Sequence, residues 1–123
     1  MARVLLVEDN EMNRDMLTRR LERSGFEVEL AANGQEALDC IGETMVDLVI
    51  MDMRMPVLDG WKATQEIRKR DETSHIPVIG LSANAMEGDR EKAMETGCSD
   101  YCTKPVDFNV LLEKINNLLD KAA

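Results

Sequence analysis

The sequence predicts a single α/β domain, residues 1–123, in which five βα repeats form a doubly wound parallel sheet with helices on both faces. Short apolar runs alternate with segments of helical period along the whole chain. Three of these runs are apolar throughout, as in strands buried on both faces, and two carry polar residues, as in edge strands. A chain of 123 residues is also long enough to bury one core without cross-links.

The first two repeats are predicted from strand and helix patterns in the first third of the chain. Strand one covers 3–7, and Gly25 ends the helix that follows it. One face of this helix carries four apolar residues: Met12, Met16, Leu17 and Leu21. Strand two, 26–30, alternates apolar and acidic residues and is placed at an edge. Asn33 is expected to cap helix two in a capping box with Glu36. The inward residues of helix two are Ala37, Leu38 and Ile41.

The third repeat contains an apolar run from Val46 into Asp52, which predicts a strand buried on both faces. Turn-forming residues follow it, and Asp59 is a predicted cap for helix three. The inward residues of that helix are Trp61, Thr64 and Ile67. The buried strand therefore ends at a carboxylate.

The fourth and fifth repeats end the chain. Strand four, 76–81, is apolar throughout and is predicted to be central, and helix four is predicted over 84–96 before a stop at Gly97. Its inward residues are Met86, Ala93 and Met94. Strand five, 100–103, is short and polar and is placed at the second edge. Helix five follows a cap at Asp107 and has the clearest apolar pattern in the chain: Phe108, Leu111, Leu112, Ile115, Leu118 and Leu119.

The predicted strand order follows from these burial preferences. With strands one, three and four buried and strands two and five at the edges, the order 2-1-3-4-5 satisfies every strand. This is the flavodoxin-like order, in which the binding crevice lies at the carboxyl ends of strands one and three.

Charge and cysteine content exclude several classes of function. The chain has 15 basic and 24 acidic residues and a net charge of −9, which argues against nucleic acid or an anionic membrane as a partner. No signal-peptide pattern and no apolar run of membrane-spanning length is present, so a cytoplasmic location is expected. The cysteines are odd in number, lack zinc spacing and are taken as packing or surface residues: Cys40, Cys98 and Cys102.

Carboxylates follow two neighbouring strands of the predicted sheet. Glu8 and Asp9 come after strand one, and Asp52 ends strand three. An acidic pair alone more often caps a helix, but three carboxylates at one sheet edge repel one another unless a cation lies among them. Mg²⁺ binds one or two carboxylates, waters and phosphate oxygens, so the sequence predicts a magnesium site.

Ser82 and Lys104 are expected at the same edge, after strands four and five. A carboxylate such as Asp52 can accept a phosphoryl group as an aspartyl phosphate. The Lys104 ammonium would neutralise phosphoryl oxygens, and the Ser82 hydroxyl would donate a hydrogen bond to one of them. The edge thus has the groups for phosphoryl acceptance.

Four segments, taken together in this order and spacing, resemble the receiver domain of two-component response regulators, the CheY-like family. They lie at 7–10, 51–60, 81–83 and 101–105. The resemblance covers nearly the whole chain. It implies that Asp52 takes a phosphoryl group from a histidine of a sensor kinase or phosphotransfer domain. It also implies that Asp9, Asp52 and the Arg54 main-chain carbonyl ligate magnesium directly, while Glu8 acts through water. Met12, if exposed, would be an apolar contact of the kind used in docking the phosphodonor.

The resemblance further implies a conformational switch. The Ser82 hydroxyl would move to the phosphoryl group and the Tyr101 ring would turn inward, changing the surface of helix four, strand five and helix five that binds a downstream protein. Ser82 stands where many members have Thr, so the coupling of Ser82 to Tyr101 is expected to be looser. Glu8 stands where Asp is common, and neither departure removes a needed chemical group.

Three further residues take roles from the resemblance. The Lys104–Pro105 peptide bond is expected to be cis. Arg54 and Asn84 lie two residues beyond Asp52 and Ser82, positions that influence how long the phosphoryl group survives.

Several readings of function remain open. The initial Met and the lack of a linker favour a stand-alone regulator, and a receiver fragment of a hybrid kinase is the alternative. The regulator is expected to be a monomer, with dimerisation through helices four and five on phosphorylation as the alternative. A magnesium-dependent phosphohydrolase is disfavoured because Arg54 replaces its second acid. A phosphorylation-independent scaffold would be expected to have lost Asp52, an acid of the pair or Lys104, and is disfavoured because none of these is lost. A nucleotide- or flavin-binding fold is disfavoured because no glycine-rich loop follows strand one. Apart from its own phosphorylation and dephosphorylation, the chain is not expected to be an enzyme.

Overall fold

The computed structural model describes residues 2–55, 57–82 and 88–122. A five-stranded parallel sheet has the order β2-β1-β3-β4-β5, so the predicted fold class and strand order are confirmed. The strands are β1 (Arg3–Val7), β2 (Glu27–Ala31), β3 (Leu48–Asp52), β4 (Val78–Ser82) and β5 (Asp100–Thr103). The helices are α1 (Glu11–Arg23), α2 (Gly34–Glu43), α3 (Gly60–Lys69), α4 (Asp89–Thr96) and α5 (Phe108–Ala122). Within those ranges, no helix has the length and apolar character needed to cross a membrane.

The parallel register aligns the carboxyl ends of the central strands. Val7 of β1 pairs with Met51 of β3, and Asp52 pairs with Leu81 of β4. All residues of β3 and β4 are buried, as expected for strands covered on both faces. Side chains that follow these strands therefore meet at one edge of the sheet.

Two apolar cores lie on the two faces of the sheet. Alternate residues of β1 and β3 enter each core, because successive strand side chains point to opposite faces. One core packs against α2, α3 and α4 and contains Leu5, Val49, Ala37, Ile67 and Ala93. The other packs against α1 and α5 and contains Leu6, Ile50, Leu17, Leu21, Leu111 and Ile115. The three cysteines are free thiols in or against these cores, which agrees with the predicted packing role.

The predicted helix caps are confirmed. Asn33 Oδ1 accepts from Glu36 N at 2.9 Å, and Glu36 Oε1 accepts from Ala32 N at 3.2 Å. Asp59 Oδ1 accepts from Lys62 N at 2.9 Å at the start of α3. These bonds satisfy amides that the first helical turn leaves without partners.

Three methionines on the apolar faces of α1 and α4 are exposed, of which Met94 was predicted to point inward. Met12 is 81% exposed, Met16 45% and Met94 38%. The prediction for Met94 was wrong: on α4 the neighbouring Ala93 is buried and Met94 is not, and on α1 the buried residues are Leu17 and Leu21. Helical period shows which residues share a face, but it does not show how wide the buried stripe is.

Several element boundaries also differ from the prediction, and β3 begins at Leu48 instead of Val46. β2 begins one residue later, at Glu27, and β4 begins at Val78, after Pro77. α4 begins at Asp89, because Gly88 at φ 111° precedes it outside the helix. Asn84 and Met86, which were predicted to belong to this helix, lie outside the described residues.

Arg68 of α3 joins the segment before β4 to the residue that follows α4. Its Nη1 donates to Ile76 O at 2.6 Å and to Ser74 O at 3.1 Å, and its Nε donates to Gly97 O at 2.8 Å. Burial lowers the pKa of Arg68, and the charge is compensated here by carbonyl dipoles. The guanidinium thus fixes the amino end of β4 against the end of α4.

We expect Arg68→Met to lower the free energy of unfolding by about 2–3 kcal/mol, because carbonyls that accept from a charged donor lose their partner. Urea unfolding monitored by circular dichroism would measure it. Lys69→Met is the matched control, since its ammonium is exposed and makes only a 3.5 Å ion pair with Glu66. Equal stabilities of the two variants would contradict this role of Arg68.

Candidate functional site

Three carboxylates meet at the carboxyl edge of the sheet. Glu8 and Asp9 directly follow β1, and Asp52 is the last residue of β3. One oxygen from each lies within 4.8 Å of the others. Glu8 is fully buried and Asp52 is 3% exposed, whereas Asp9 is exposed. The cluster is therefore buried on one side and open to water at Asp9.

Lys104, which follows β5, supplies the positive charge of the cluster. Its Nζ donates to Glu8 Oε1 and to Asp52 Oδ2, each at 2.9 Å. The other oxygen of Asp52, Oδ1, accepts from the Arg54 main-chain N at 3.2 Å. Two buried carboxylates thus share one ammonium, and both oxygens of Asp52 have a donor.

The direct ion pair between Glu8 and Lys104 was missed by the sequence analysis, which placed the ammonium on a phosphoryl group. One sequence signal pointed to it: Lys104, directly after predicted strand five, is the one basic residue that immediately follows a predicted strand, at the same sheet edge as Glu8 and Asp52. Buried carboxylates need a cationic partner, and these two had the same candidate.

Proton affinity differs between the two buried carboxyls. Burial, together with the neighbouring Glu8 carboxylate, raises the pKa of Asp52 from 3.8 to about 7, against the opposing effect of Lys104. Burial also acts to raise the pKa of Glu8, but the neighbouring Asp52 carboxyl and the hydrogen bond and charge of Lys104 outweigh it, and the pKa is lowered. Asp52 is therefore the carboxyl of the pair that binds a proton more readily.

A buried carboxylate oxygen supports the fit of a divalent cation. Glu8 Oε2 is buried and has no hydrogen-bond partner within residues 2–55, 57–82 and 88–122. Leaving a buried charged acceptor without a donor or cation is costly. Mg²⁺ takes oxygen ligands from one or two carboxylates and keeps several waters, which suits a site that is open at Asp9. The residues present fit this ion.

The predicted switch residues lie on neighbouring strands. Ser82 is fully buried at the end of β4, one residue beyond Leu81, the register partner of Asp52. Tyr101 pairs with Gly80 in register and is 6% exposed, so its ring already lies inward, against the core formed with α3 and α4. The Lys104–Pro105 peptide bond is cis. Asn84 falls outside the described residues.

The loop between Asp52 and α3 is held at both ends by backbone contacts. Gly60 N donates to Met53 O at 2.9 Å, and Gly34 N, from the start of α2, donates to Leu58 O at 3.1 Å. A Cβ at Gly60 would lie 2.2 Å from Asp52 O, which requires glycine there. Val57, between the two contacts, is exposed and has a φ of 70°.

A model of the response regulator receiver domain matches residues 4–116 of this chain. The polar-differentiation response regulator DivK of Brucella anthropi is 40% identical over 119 residues, covering 97% of this chain and 97% of that protein. Hybrid signal transduction histidine kinase I of Dictyostelium discoideum is 40% identical over 126 residues, but this chain spans only 7% of its length.

A solved structure is similar in both fold and sequence. It is the receiver domain of sensor histidine kinase PA1611 from Pseudomonas aeruginosa PAO1, with a magnesium ion coordinated in its active-site cleft. The TM-score is 0.91 and the identity 37%, with 97% of this chain and 98% of that chain covered.

We expect Asp52→Asn to be more stable than the parent at about pH 8 in EDTA, by about 1–3 kcal/mol. The Asp52 carboxyl loses its proton near pH 4 in the unfolded chain and only near pH 7 in the folded chain. The parent therefore loses stability relative to Asp52→Asn as the pH rises between these two values, and the loss is complete above the higher one. Thermal unfolding from about pH 5 to pH 8 would measure the difference, which should shrink toward pH 5. The exposed Asp71→Asn is the control, and a difference that does not change with pH would contradict the expectation.

Proposed function

The chain belongs to the response regulator receiver domain family, and we propose that Asp52 is the residue on which it accepts a phosphoryl group. As a receiver it is a signalling phosphoacceptor of two-component systems and not a metabolic enzyme. One observation carries the assignment to Asp52. Its carboxylate ends the buried strand β3, lies beside Glu8 and Asp9, and is held by the Lys104 ammonium and the Arg54 N–H.

In the proposed transfer, a carboxylate oxygen of Asp52 attacks the phosphorus of a phosphohistidine. The phosphorus–nitrogen bond breaks, and the imidazole nitrogen keeps the electron pair and is then protonated. Asp52 must be ionised for this attack, and Lys104 at 2.9 Å favours the ionised form. The ammonium then pairs with the phosphoryl oxygens, since these carry the negative charge that Asp52 gives up. The same groups would act in the chain's own dephosphorylation.

We assign the cation site to Asp9, Asp52 and the Arg54 main-chain carbonyl, with Glu8 acting through water. When bound, Mg²⁺ would neutralise charge on the phosphoryl oxygens. The buried oxygen Glu8 Oε2 and the open side at Asp9 support this assignment. A relative with magnesium in the corresponding cleft supports it independently.

The output is proposed to run through Ser82 and Tyr101. The Ser82 hydroxyl would donate to the phosphoryl group, and the Tyr101 ring, buried in this structure, would be held in its inward position. Both residues lie on strands β4 and β5 beside α4, so their packing sets the surface of α4, β5 and α5. We propose that a downstream protein binds this surface, and that Arg54 and Asn84 set the lifetime of the phosphoryl group.

The phosphodonor is proposed to be a histidine of a sensor kinase or phosphotransfer domain that docks beside α1. The exposure of Met12 and Met16 supports this docking, because apolar side chains in water at the rim of the site are available for a protein contact. The domain is proposed to span 1–123 and to be a monomer, with dimerisation through α4 and α5 on phosphorylation as an alternative outcome. A stand-alone regulator and a receiver within a hybrid kinase would use the same site.

We expect the parent to gain the mass of one phosphoryl group on incubation with Mg²⁺ and acetyl phosphate, measured by intact mass spectrometry. Asp52→Asn should gain none, while the exposed Asp71→Asn should behave as the parent. EDTA should abolish the gain. Lys104→Met should slow it by about 10-fold or more, because the charge that stabilises the transferring group is lost.

An unmodified parent would overturn the proposal and favour a phosphorylation-independent scaffold. Equal modification of Asp52→Asn and the parent would instead overturn the assignment to Asp52.

A further inference from the structure

Trp61 lies in the first turn of α3 and is in contact with two cations. The guanidinium carbon of Arg54, from the loop after Asp52, is 5.1 Å from the centre of the indole ring. The Lys92 Nζ, from α4, is 4.0 Å from it. Both distances are in the range of cation–π attraction, which is strongest for tryptophan among the aromatic side chains. The ring therefore joins the phosphoacceptor loop to α4.

The face of the ring, and not its polar atom, makes these contacts. Trp61 is 7% exposed, and its Nε1–H is buried without an acceptor among the described parts of the chain. Buried indole N–H groups usually have a hydrogen-bond partner. The aromatic face is thus the feature by which Trp61 acts on its neighbours, and phenylalanine would keep most of it.

Arg54 begins beside the phosphoacceptor, because its main-chain N–H donates to Asp52 Oδ1 at 3.2 Å. A guanidinium makes strong, paired hydrogen bonds to phosphoryl oxygens. Once Asp52 carries a phosphoryl group, the phosphoryl oxygens would compete with the Trp61 ring for the Arg54 guanidinium. On the oxygens it would both stabilise their charge and obstruct a water that approaches the phosphorus.

We propose that Trp61 is a positioning residue that holds the Arg54 guanidinium away from the phosphoryl group and thereby shortens its lifetime. The inference rests on the proposed phosphorylation of Asp52. In the hydrolysis that ends the signal, a water oxygen attacks the phosphorus and the bond from phosphorus to the Asp52 oxygen breaks. The carboxylate is regenerated, and phosphate leaves with both protons of the water. Lys92 holds the same ring from α4, which keeps the ring in place for Arg54.

The experiment measures the decay of phosphorylated protein after the phosphodonor is removed in the presence of Mg²⁺, by intact mass. We expect Trp61→Leu to lengthen the lifetime about 2- to 5-fold, the range set by a weak, partly exposed cation–π contact. Trp61→Phe should remain close to the parent. Trp61→Met provides the same comparison if Trp61→Leu does not fold, as judged by circular dichroism. Glu95→Gln, an exposed change on α4, is the control.

A double-mutant cycle with Arg54→Gln separates positioning from a general packing effect. If Trp61 acts through Arg54, Trp61→Leu has no further effect on the lifetime when Arg54 is already Gln. An unchanged or shortened lifetime in Trp61→Leu, or a lengthening that persists in the Arg54→Gln background, would overturn the inference. A parent that gains no phosphoryl group would overturn the proposed function as well, so the two failures are distinguishable.

Discussion

Burial of two carboxylates against one ammonium is the constraint on which the rest of this structure depends. Glu8 and Asp52 are both nearly inaccessible to water, and Lys104 bonds to each at 2.9 Å. The group as a whole carries excess negative charge in a chain whose net charge is −9. Such an arrangement does not stabilise a fold, because the desolvation of charges offsets their attraction. It creates instead a site that favours a proton, a metal ion or both.

The parallel strands of the sheet bring these charged residues together at one edge. β1, β3 and β5 must run parallel and end together for residues far apart in sequence to meet, and β4 places Ser82 at the same edge. The apolar cores on the two faces carry the stability that the charged edge does not. The candidate site and the main source of stability are thus separated in space, and in doubly wound sheets ligands generally bind at the carboxyl ends of the strands.

Most of this architecture could be predicted from the sequence, because strand burial leaves a direct trace in composition. The contrast between three uniformly apolar strands and two polar ones predicted the strand order. The acids after β1 and β3 predicted the position of the candidate site. Asn33 and Asp59 were recognisable as caps because their bonds are local. The features that were missed depend on contacts between distant segments. The role of Arg68 could not be recognised before its carbonyl partners Ile76 and Gly97 were known. Met94 was predicted to be buried, because the width of the buried stripe on α4 cannot be derived from the helical period.

The two backbone contacts that hold the loop after Asp52 have a consequence for how such chains diverge. Exposed loops usually absorb insertions and deletions. Here Gly34 and Gly60 fix the positions of Leu58 and Met53, and a side chain at Gly34 would meet Leu58 O at 2.3 Å. Residue identity can change at the exposed Val57, but residue number cannot change without displacing α2 or α3. Exchange of this loop between receivers, in evolution or in chimeric proteins, is therefore restricted in length, whereas substitution is tolerated at the exposed Val57.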